Sequence, residues 1–473
     1  MISVIPENVL DIYKQLEKHG FEVYFVGGSV RNILLKKDVK DWDLTTNATP
    51  EDILKIFPES FYDNKFGTVG IPVKIDKANK IIEITTFRTE ESLSPTHKPD
   101  KVSWGKSIEE DLSRRDFTIN AIALRLPSIP KRTSTSLTQG KPSIFELIDP
   151  YDGEKDLQKK IIKAVGDPNL RFKEDALRLL RAIRIATELK FKIENNTWKK
   201  IIEDSELIKH ISGERIRNEL LRILSDKNAY EGVMLLKESG LLKYIIPELL
   251  DGIGVSQARP GRHHTEDVFT HNLLSLKYCP SQNPIVRFAT LIHDIGKPNV
   301  MKKDKEGLII FHNHEVAGAR IADQICQRLK FSKKEKEKIV TLIRWHMFSV
   351  NENLTDAAVR RFIRRVGVEN VKDMMDLRVG DRLGGGTQTA ESWRLKLFKK
   401  KIEEQLKPLP FSINDLVIDG NDIIRILRIK PGPIIGKILN QIFEEVDEDL
   451  AKNNKEFLTK RVEEIYKNIF SDS

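Results

Sequence analysis

Apolar residues along the chain follow two rhythms that change near residue 150. Between residues 21 and 150, short runs with strand character (VYFVGG, KIIEITTF, FTINAIALRL, FELIDP) alternate with turn signals and short helical stretches, which predicts a mixed α/β head. From Asp152 onward the spacing is almost entirely helical, as in DALRLLRAIRIATELK and ERIRNELLRIL, with Gly, Pro and Asn marking the breaks. The fold class expected is therefore α+β, a head with a small mixed sheet followed by an all-α body. Between two strand-like runs, residues 127–143 (PSIPKRTSTSLTQGKPS) are rich in Pro, Ser and Thr and read as an exposed insertion.

With 473 residues the chain exceeds what one hydrophobic core supports. The expected segments are 1–150, 151–245, 246–385 and 386–473. No apolar run is long enough to span a bilayer and the first twenty residues look like an ordinary helix, so a cytoplasmic protein with no membrane partner is expected. Two cysteines, Cys279 and Cys326, are too few for a disulfide framework or a Cys-rich zinc site. The net charge of +9 is unevenly placed: residues 1–150 sum to −1, residues 151–385 to +10 and the remainder to zero. A polyanionic partner of the central segments fits that distribution.

The candidate chemistry begins in the head. YFVGGSVRNILL is a strand, a glycine turn and a helix start, which lets backbone N–H groups converge on an anion. Ten residues on, KDWDLTT places Asp41 and Asp43 two apart, on one side of an extended strand. Such a pair is either solvated at a sheet edge or neutralised by cations, and Mg²⁺ there would serve phosphoryl transfer. In EDALRLLRAIRIA, helical spacing makes Asp175 and Arg178 neighbours and repeats Arg178, Arg181 and Arg184 at intervals of three, which fits an ion-paired surface or a ligand site. Cytosine and adenine each present an amino donor beside a ring-nitrogen acceptor, so one carboxylate and one guanidinium satisfy both. Uracil and guanine reverse that order.

Taken in order, GGSVR, DWDLTTNATPEDI, FGTVGI, EITTFRTE, EEDLSRRDFTINAIA and EDALR resemble the class II tRNA nucleotidyltransferases, the CCA-adding enzymes and bacterial poly(A) polymerases, from about Phe21 to Leu224. The resemblance implies a nucleotidyltransferase head (1–150) and a nucleotide-selecting, RNA-binding neck (151–245). It also implies template-independent addition of C, C and A from CTP and ATP to tRNA. Asp41 and Asp43 would hold catalytic Mg²⁺, with Glu83 as third carboxylate. Gly28 and Arg31 would lie at the triphosphate, and Arg115 and Asp116 at the nucleotide sugar. Asp175 and Arg178 would read the base, while Arg181 and Arg184 approach the nucleotide or its phosphates and Glu174 orients the helix. Asn32 stands where the family usually has Asp, so Arg31 lacks a local carboxylate and reduced rigidity is expected. The segment FRTEESLSPTHKPDKVSW is not shortened, which favours full CCA addition over a CC-only enzyme, although THKPD puts His97 and Lys98 where arginines are usual. An A-only enzyme or a poly(A) polymerase is the alternative within the fold.

Seven of ten histidines fall between His263 and His346. HNLLSL at His271, HDIGK at His293 and Asp294, FHNHE at His314, WHMF at His346 and VGDR at Asp381 resemble the HD superfamily of metal-dependent phosphohydrolases. That resemblance implies an HD domain (246–385), with the adjacent His and Asp on a helix, that takes a divalent transition metal such as Ni, Co or Mn. His264 is an alternative first ligand. A chain that is mainly a phosphohydrolase with an RNA-binding N-terminal half is the competing function. Oligomeric state stays open, and residues 386–473 read as a helical tail.

Overall fold

The structure is a computed structural model describing residues 5–39, 41–63, 68–75, 78–90, 102–105, 107–127, 145–257, 267–348, 350, 354–406 and 412–471. The insertion beyond Pro127, His97, Lys98 and His264 lie outside the described residues. The chain forms two compact units, Met1–Pro247 and Glu248–Ser473.

In the first unit the strands are β1 (Val23–Val26), β2 (Asp43–Thr46), β3 (Phe61–Asp63), β4 (Thr68–Ile75), β5 (Ala78–Thr86), β6 (Arg88–Glu90), β7 (Val102–Trp104), β8 (Ala123–Arg125) and β9 (Glu146–Ile148). Seven of them make one mixed sheet in the order β3-β4-β5-β2-β1-β8-β9, while β6 and β7 form a separate antiparallel pair. Only β2 and β5 run parallel; the other neighbours are antiparallel. β1 is apolar throughout because both its faces are covered. On one face Phe25 stacks on Tyr13 at 5.3 Å and meets the edge of Trp42 at 5.7 Å. On the other, Tyr24 and Val26 pack with Phe87, Ile108 and Leu112. Burying a ring such as Phe25 stabilises the sheet by about 2–3 kcal/mol, which fixes β1 and the turn that follows it. The rest of the unit is helical, apart from a short parallel pairing of Ile161–Ile162 with Lys192–Ile193.

The second unit is nearly all helix, with one two-stranded pairing of Lys302–Lys303 with Ile309–Ile310. Helices Val268–Tyr278 and Val371–Gly384 pack closely because Gly380 and Gly384 lie against Ser275 and Cys279. A separate core joins Ile423, Ile438, Ile442, Val446, Leu458, Val462 and Ile465 from the final helices. No described helix is long and apolar enough to cross a membrane.

Candidate functional site

The glycine turn ends β1 and begins the helix Gly27–Leu34. Gly27 has φ +69°, and a Cβ there would sit 3.1 Å from Arg115 Nη1 and 3.2 Å from Asp43 Oδ2. Glycine is required twice over, by conformation and by the approach of two charged groups. A cleft of about 330 Å³ opens at this point, lined by Gly27, Gly28, Asp43, Thr85, Asn120 and a set of alternating charges: Asp111, Arg114, Arg115, Asp116, Asp175, Arg178 and Arg181.

Parallel pairing places Asp43 directly beside Glu83, so both project from one face of the sheet. β2 begins at Asp43, which puts Asp41 in the bend just ahead of the strand, not within it. Asp41 and Glu83 are exposed and Asp43 is half-buried. Burial pushes the Asp43 carboxyl up to about 6, the Arg115 guanidinium works against this, and Glu83 and Asp41 add to the rise. Asp43 with Glu83 beside it and Asp41 just ahead of the strand form a carboxylate donor set suited to a hard divalent cation.

Asp116 accepts from Phe117 N (2.8 Å) and Asn120 Nδ2 (3.0 Å) on Oδ1, and from Arg181 Nε (2.8 Å) and Nη2 (2.7 Å) on Oδ2. Burial alone would raise its pKa, but Arg181 and Asn120 hold it well below the usual carboxylate range. Arg115 turns away from Asp116 and pairs with Asp111 at 2.9 Å. Arg31 lies beneath the glycine turn, with Nη2 only 3.6 Å from where a Gly28 Cβ would be.

Two expectations for EDALRLLRAIRIA are corrected. Asp175 is not inside a helix. It lies in extended conformation between Pro168–Glu174 and Leu177–Leu189, and its Oδ1 accepts from Leu177 N at 3.1 Å, as an N-terminal cap does. Its carboxylate therefore swings away from Arg178 and pairs with Arg215 of helix Gly213–Ser225, at 2.8 and 3.3 Å. Arg178 instead donates to Glu174 (2.7 Å) and to the carbonyls of Arg171 and Arg114. Arg184 does not join Arg178 and Arg181 in the cleft. Each step of three residues turns a helix by about −60°, so by Arg184 the flank has rotated toward Gly213–Ser225. There Arg184 is buried against Glu219 (2.6 Å) and Glu188 (2.9 Å). Sequence reasoning passed over Gly27, Thr85, Asp111, Asn120 and Arg215. Asn120 had a signal in its spacing of four from Asp116; Arg215, forty residues from Asp175, had none.

The second unit holds another cluster. His271, His293, Asp294, His314 and His346 are buried, with Asp381 beside them. His293 and Asp294 lie not on a helix, as expected, but in the turn after helix Pro284–Leu291. A helix would splay adjacent side chains by about 100°, whereas the turn presents both. Gly296 permits it: a Cβ there would fall 2.2 Å from the His314 carbonyl oxygen and 2.4 Å from Gly318 N. Asp294 Oδ2 lies 3.3 Å from His271 Nε2 and 3.4 Å from His293 Nε2, while Oδ1 lies 3.3 Å from His314 Nε2 and 3.5 Å from His346 Nε2. Asp381 Oδ1 approaches His271 at 3.3 Å and His293 at 3.7 Å. The Nδ1 atoms of His293, His314 and His346 each face the carbonyl three residues earlier, at 2.7–2.9 Å. As N–H donors there, they leave Nε2 as a lone pair pointing inward. Facing Nε2 pairs, His271–His293 at 3.2 Å and His314–His346 at 3.3 Å, form a donor set that fits divalent transition metal. Burial works against His271, yet hydrogen bonds to Asp294 and Asp381 push it up to about 9. Lys297 contacts Asp294 and Gln257 at the rim.

Three stretches match known families: residues 23–163 the poly A polymerase head domain, residues 190–252 the "Probable RNA and SrmB- binding site of polymerase A", and residues 309–462 tRNA nucleotidyltransferase domain 2. The CCA-adding enzyme of Limosilactobacillus reuteri (strain DSM 20016) is 31% identical over 472 residues, covering 98% of each chain. That of Lactococcus lactis subsp. lactis is 31% identical over 458 residues, covering 96% of this chain and 97% of the other. Among solved structures, the chain is similar to the Bacillus stearothermophilus CCA-adding enzyme in complex with CTP, at 25% identity and TM-score 0.68, covering 98% of both chains.

Proposed function

Because the chain belongs to the CCA-adding enzymes, a family of nucleotidyltransferases, we propose that it adds C, C and A to tRNA 3′ ends from CTP and ATP, with the nucleotide seated in the cleft of the first unit. The observation that carries this is the meeting of Asp43 and Glu83 on one sheet face with the glycine turn and four arginines. Asp41 and Asp43, with Glu83 as third carboxylate, would hold Mg²⁺. Ions bound there polarise the triphosphate and make the terminal tRNA hydroxyl a better nucleophile.

This chain's own groups do the positioning. N–H groups at the glycine turn and Arg31 face the polyphosphate end, Arg115 neutralises charge beside Asp43, and the Asp116–Arg181 pair ties the helix Leu177–Leu189 to the sheet. Asp175, held by Arg215, accepts from the amino group that cytosine and adenine share, and Arg178 donates to the adjacent ring nitrogen. The central positive charge meets the tRNA backbone through sequence-independent, salt-dependent contacts. The test supplies Mg²⁺ with tRNA transcripts ending at the discriminator base, at C or at CC, and CTP and ATP separately and together. Growth that stops at CCA supports the proposal. A long A tail, or two C residues without A, overturns it in favour of a polymerase or a partial enzyme.

The His/Asp cluster supports a second reading, that the C-terminal unit is an HD-type phosphohydrolase. His271, His293, Asp294, His314, His346 and Asp381 are the residues that would hold divalent transition metal there. Such ions supply Lewis-acid chemistry for phosphoester hydrolysis. Protein stripped of Mg²⁺ and supplied with Ni²⁺, Co²⁺ or Mn²⁺ should then hydrolyse a 2′,3′-cyclic nucleotide or a phosphomonoester. Absence of turnover with all three metals removes this activity.

A further inference from the structure

We propose that Asn32 sets the charge of the polyphosphate end of the cleft: its amide oxygen aims the Arg31 guanidinium without neutralising it, leaving the positive charge for the substrate. The inference rests on the assignment of the cleft to a nucleoside triphosphate.

Arg31 is only 8% exposed. Buried guanidinium groups are ordinarily matched by a carboxylate. This one is held by neutral amides: Nε and Nη2 donate to Asn32 Oδ1 at 3.2 and 3.1 Å, and Nη1 donates to Asn120 Oδ1 at 2.9 Å. No carboxylate of the described residues forms a salt bridge with it. Three of its five N–H groups are used in these bonds, and two remain. Burial lowers its pKa; Glu188 and Asp116, neither in contact with it, oppose the fall, and Arg184 and Arg181 add to it. Both Gly28, whose Cβ position lies 3.6 Å from Nη2, and Asn120 line the cleft, so a guanidinium with no carboxylate in contact sits directly under the turn.

Asn32 also donates from Nδ2 to the Asp38 carbonyl at 3.3 Å, and its own carbonyl accepts from Lys37 N at 2.9 Å. It therefore anchors the connection that leads to Asp41. A carboxylate at position 32 would accept from Arg31 equally well. It would cancel the charge, however, and would have no hydrogen to offer Asp38.

Asn32→Asp adds the charge and also gives up the hydrogen bond to Asp38, whereas Asn32→Ala gives up that bond without adding charge, so the two variants together separate the roles. In Asn32→Asp the new ion pair with Arg31 should offset the lost bond and leave the folded protein about as stable as before, while polyphosphate loses its attraction. Calorimetric titration of the full chain with CTP, inorganic tripolyphosphate and CMP reads this directly, alongside thermal unfolding. In Asn32→Asp, CTP and tripolyphosphate should bind roughly tenfold more weakly, the worth of one charge-assisted contact. CMP affinity should stay within about twofold and the unfolding temperature should not fall. Arg31→Gln should weaken CTP and tripolyphosphate at least as much. If Arg31→Gln weakens them and Asn32→Asp does not, the role of Asn32 is overturned while the triphosphate assignment stands. If Arg31→Gln has no effect, the triphosphate assignment fails and the inference with it. Equal weakening of CMP in Asn32→Asp, with a lowered unfolding temperature, shows a structural role only and also overturns the proposal.

Discussion

Asp116→Asn tests whether one buried carboxylate joins the helix Leu177–Leu189 to the sheet. Asp116 is 7% exposed and takes four hydrogen bonds, two on each oxygen. An asparagine offers one acceptor oxygen and an NH₂. If the oxygen stays on Arg181, the NH₂ faces Phe117 N–H and the Asn120 amide, and Asn120 cannot flip because its oxygen already serves Arg31. If the amide turns over, Arg181 loses its only anion at contact distance among the described residues. Either way a buried donor is stranded, costing about 1–3 kcal/mol. Breaking a fully buried ion pair costs about 3–5 kcal/mol, but the Arg181 side chain is 37% exposed to the cleft, so water recovers part of it. A net loss of about 3 kcal/mol follows, which for a unit of this size lowers the unfolding temperature by roughly 6–12 °C.

The pH dependence is fixed in sign. A carboxylate whose pKa is depressed on folding contributes stability above its unfolded value, near 3.9, and that stability is lost as pH falls toward the folded value. The gap between parent and Asp116→Asn should therefore be constant from neutral pH down to about pH 5 and narrow only below about pH 4. Scanning calorimetry of the transition containing the first unit measures it. An unchanged unfolding temperature at neutral pH, or a gap that closes between about pH 7 and pH 5, refutes the role assigned to Asp116.

Asp175→Ala should lower the preference for CTP over UTP, read as a ratio of kcat/KM values, by roughly 30-fold, the equivalent of about 2 kcal/mol for a lost charge-assisted hydrogen bond. Asp43→Asn should reduce nucleotide transfer by about a thousandfold or more, while CTP binding measured by titration stays within a few-fold. Ni²⁺ or Co²⁺ at a concentration about 100 times Kd should stabilise the C-terminal unit by about 3 kcal/mol, seen as a raised unfolding transition. Asp294→Asn should abolish that rise, because the same residue faces all four imidazoles.

What was legible in the sequence was whatever depends on neighbours along the chain. The glycine turn and the DWD pair are contiguous, and the switch from strand runs to helical periodicity at Asp152 needs only local spacing. Pairing across the chain was not legible. That β2 lies parallel to β5, with Asp43 opposite Glu83, follows from sheet order, and strand order carries no local signal. Residue type misled where a special backbone intervened. Asp175 was expected three residues from its partner on one helix, but as a cap it leaves the helical path and finds Arg215. His293 and Asp294 were expected on a helix, and only the close approach at Gly296 shows why a turn serves them better.

The Asn at position 32 shows how a departure from a family pattern changes meaning once geometry is known. Without a carboxylate beside it, Arg31 was expected to be less rigidly held. Yet three hydrogen bonds between 2.9 and 3.2 Å fix its guanidinium, as many as a carboxylate at position 32 and Asn120 together would give. The difference therefore lies in charge and not in tethering. The cleft lining otherwise carries four arginines against four aspartates, several in contact with one another. Such a surface is close to neutral and attracts a triphosphate weakly at a distance. An arginine held by neutral amides below the glycine turn shifts the local field toward positive where the polyphosphate would rest. Asn32→Asp, which keeps the acceptor for Arg31, should accordingly change affinity for phosphate without loosening the hold on that guanidinium.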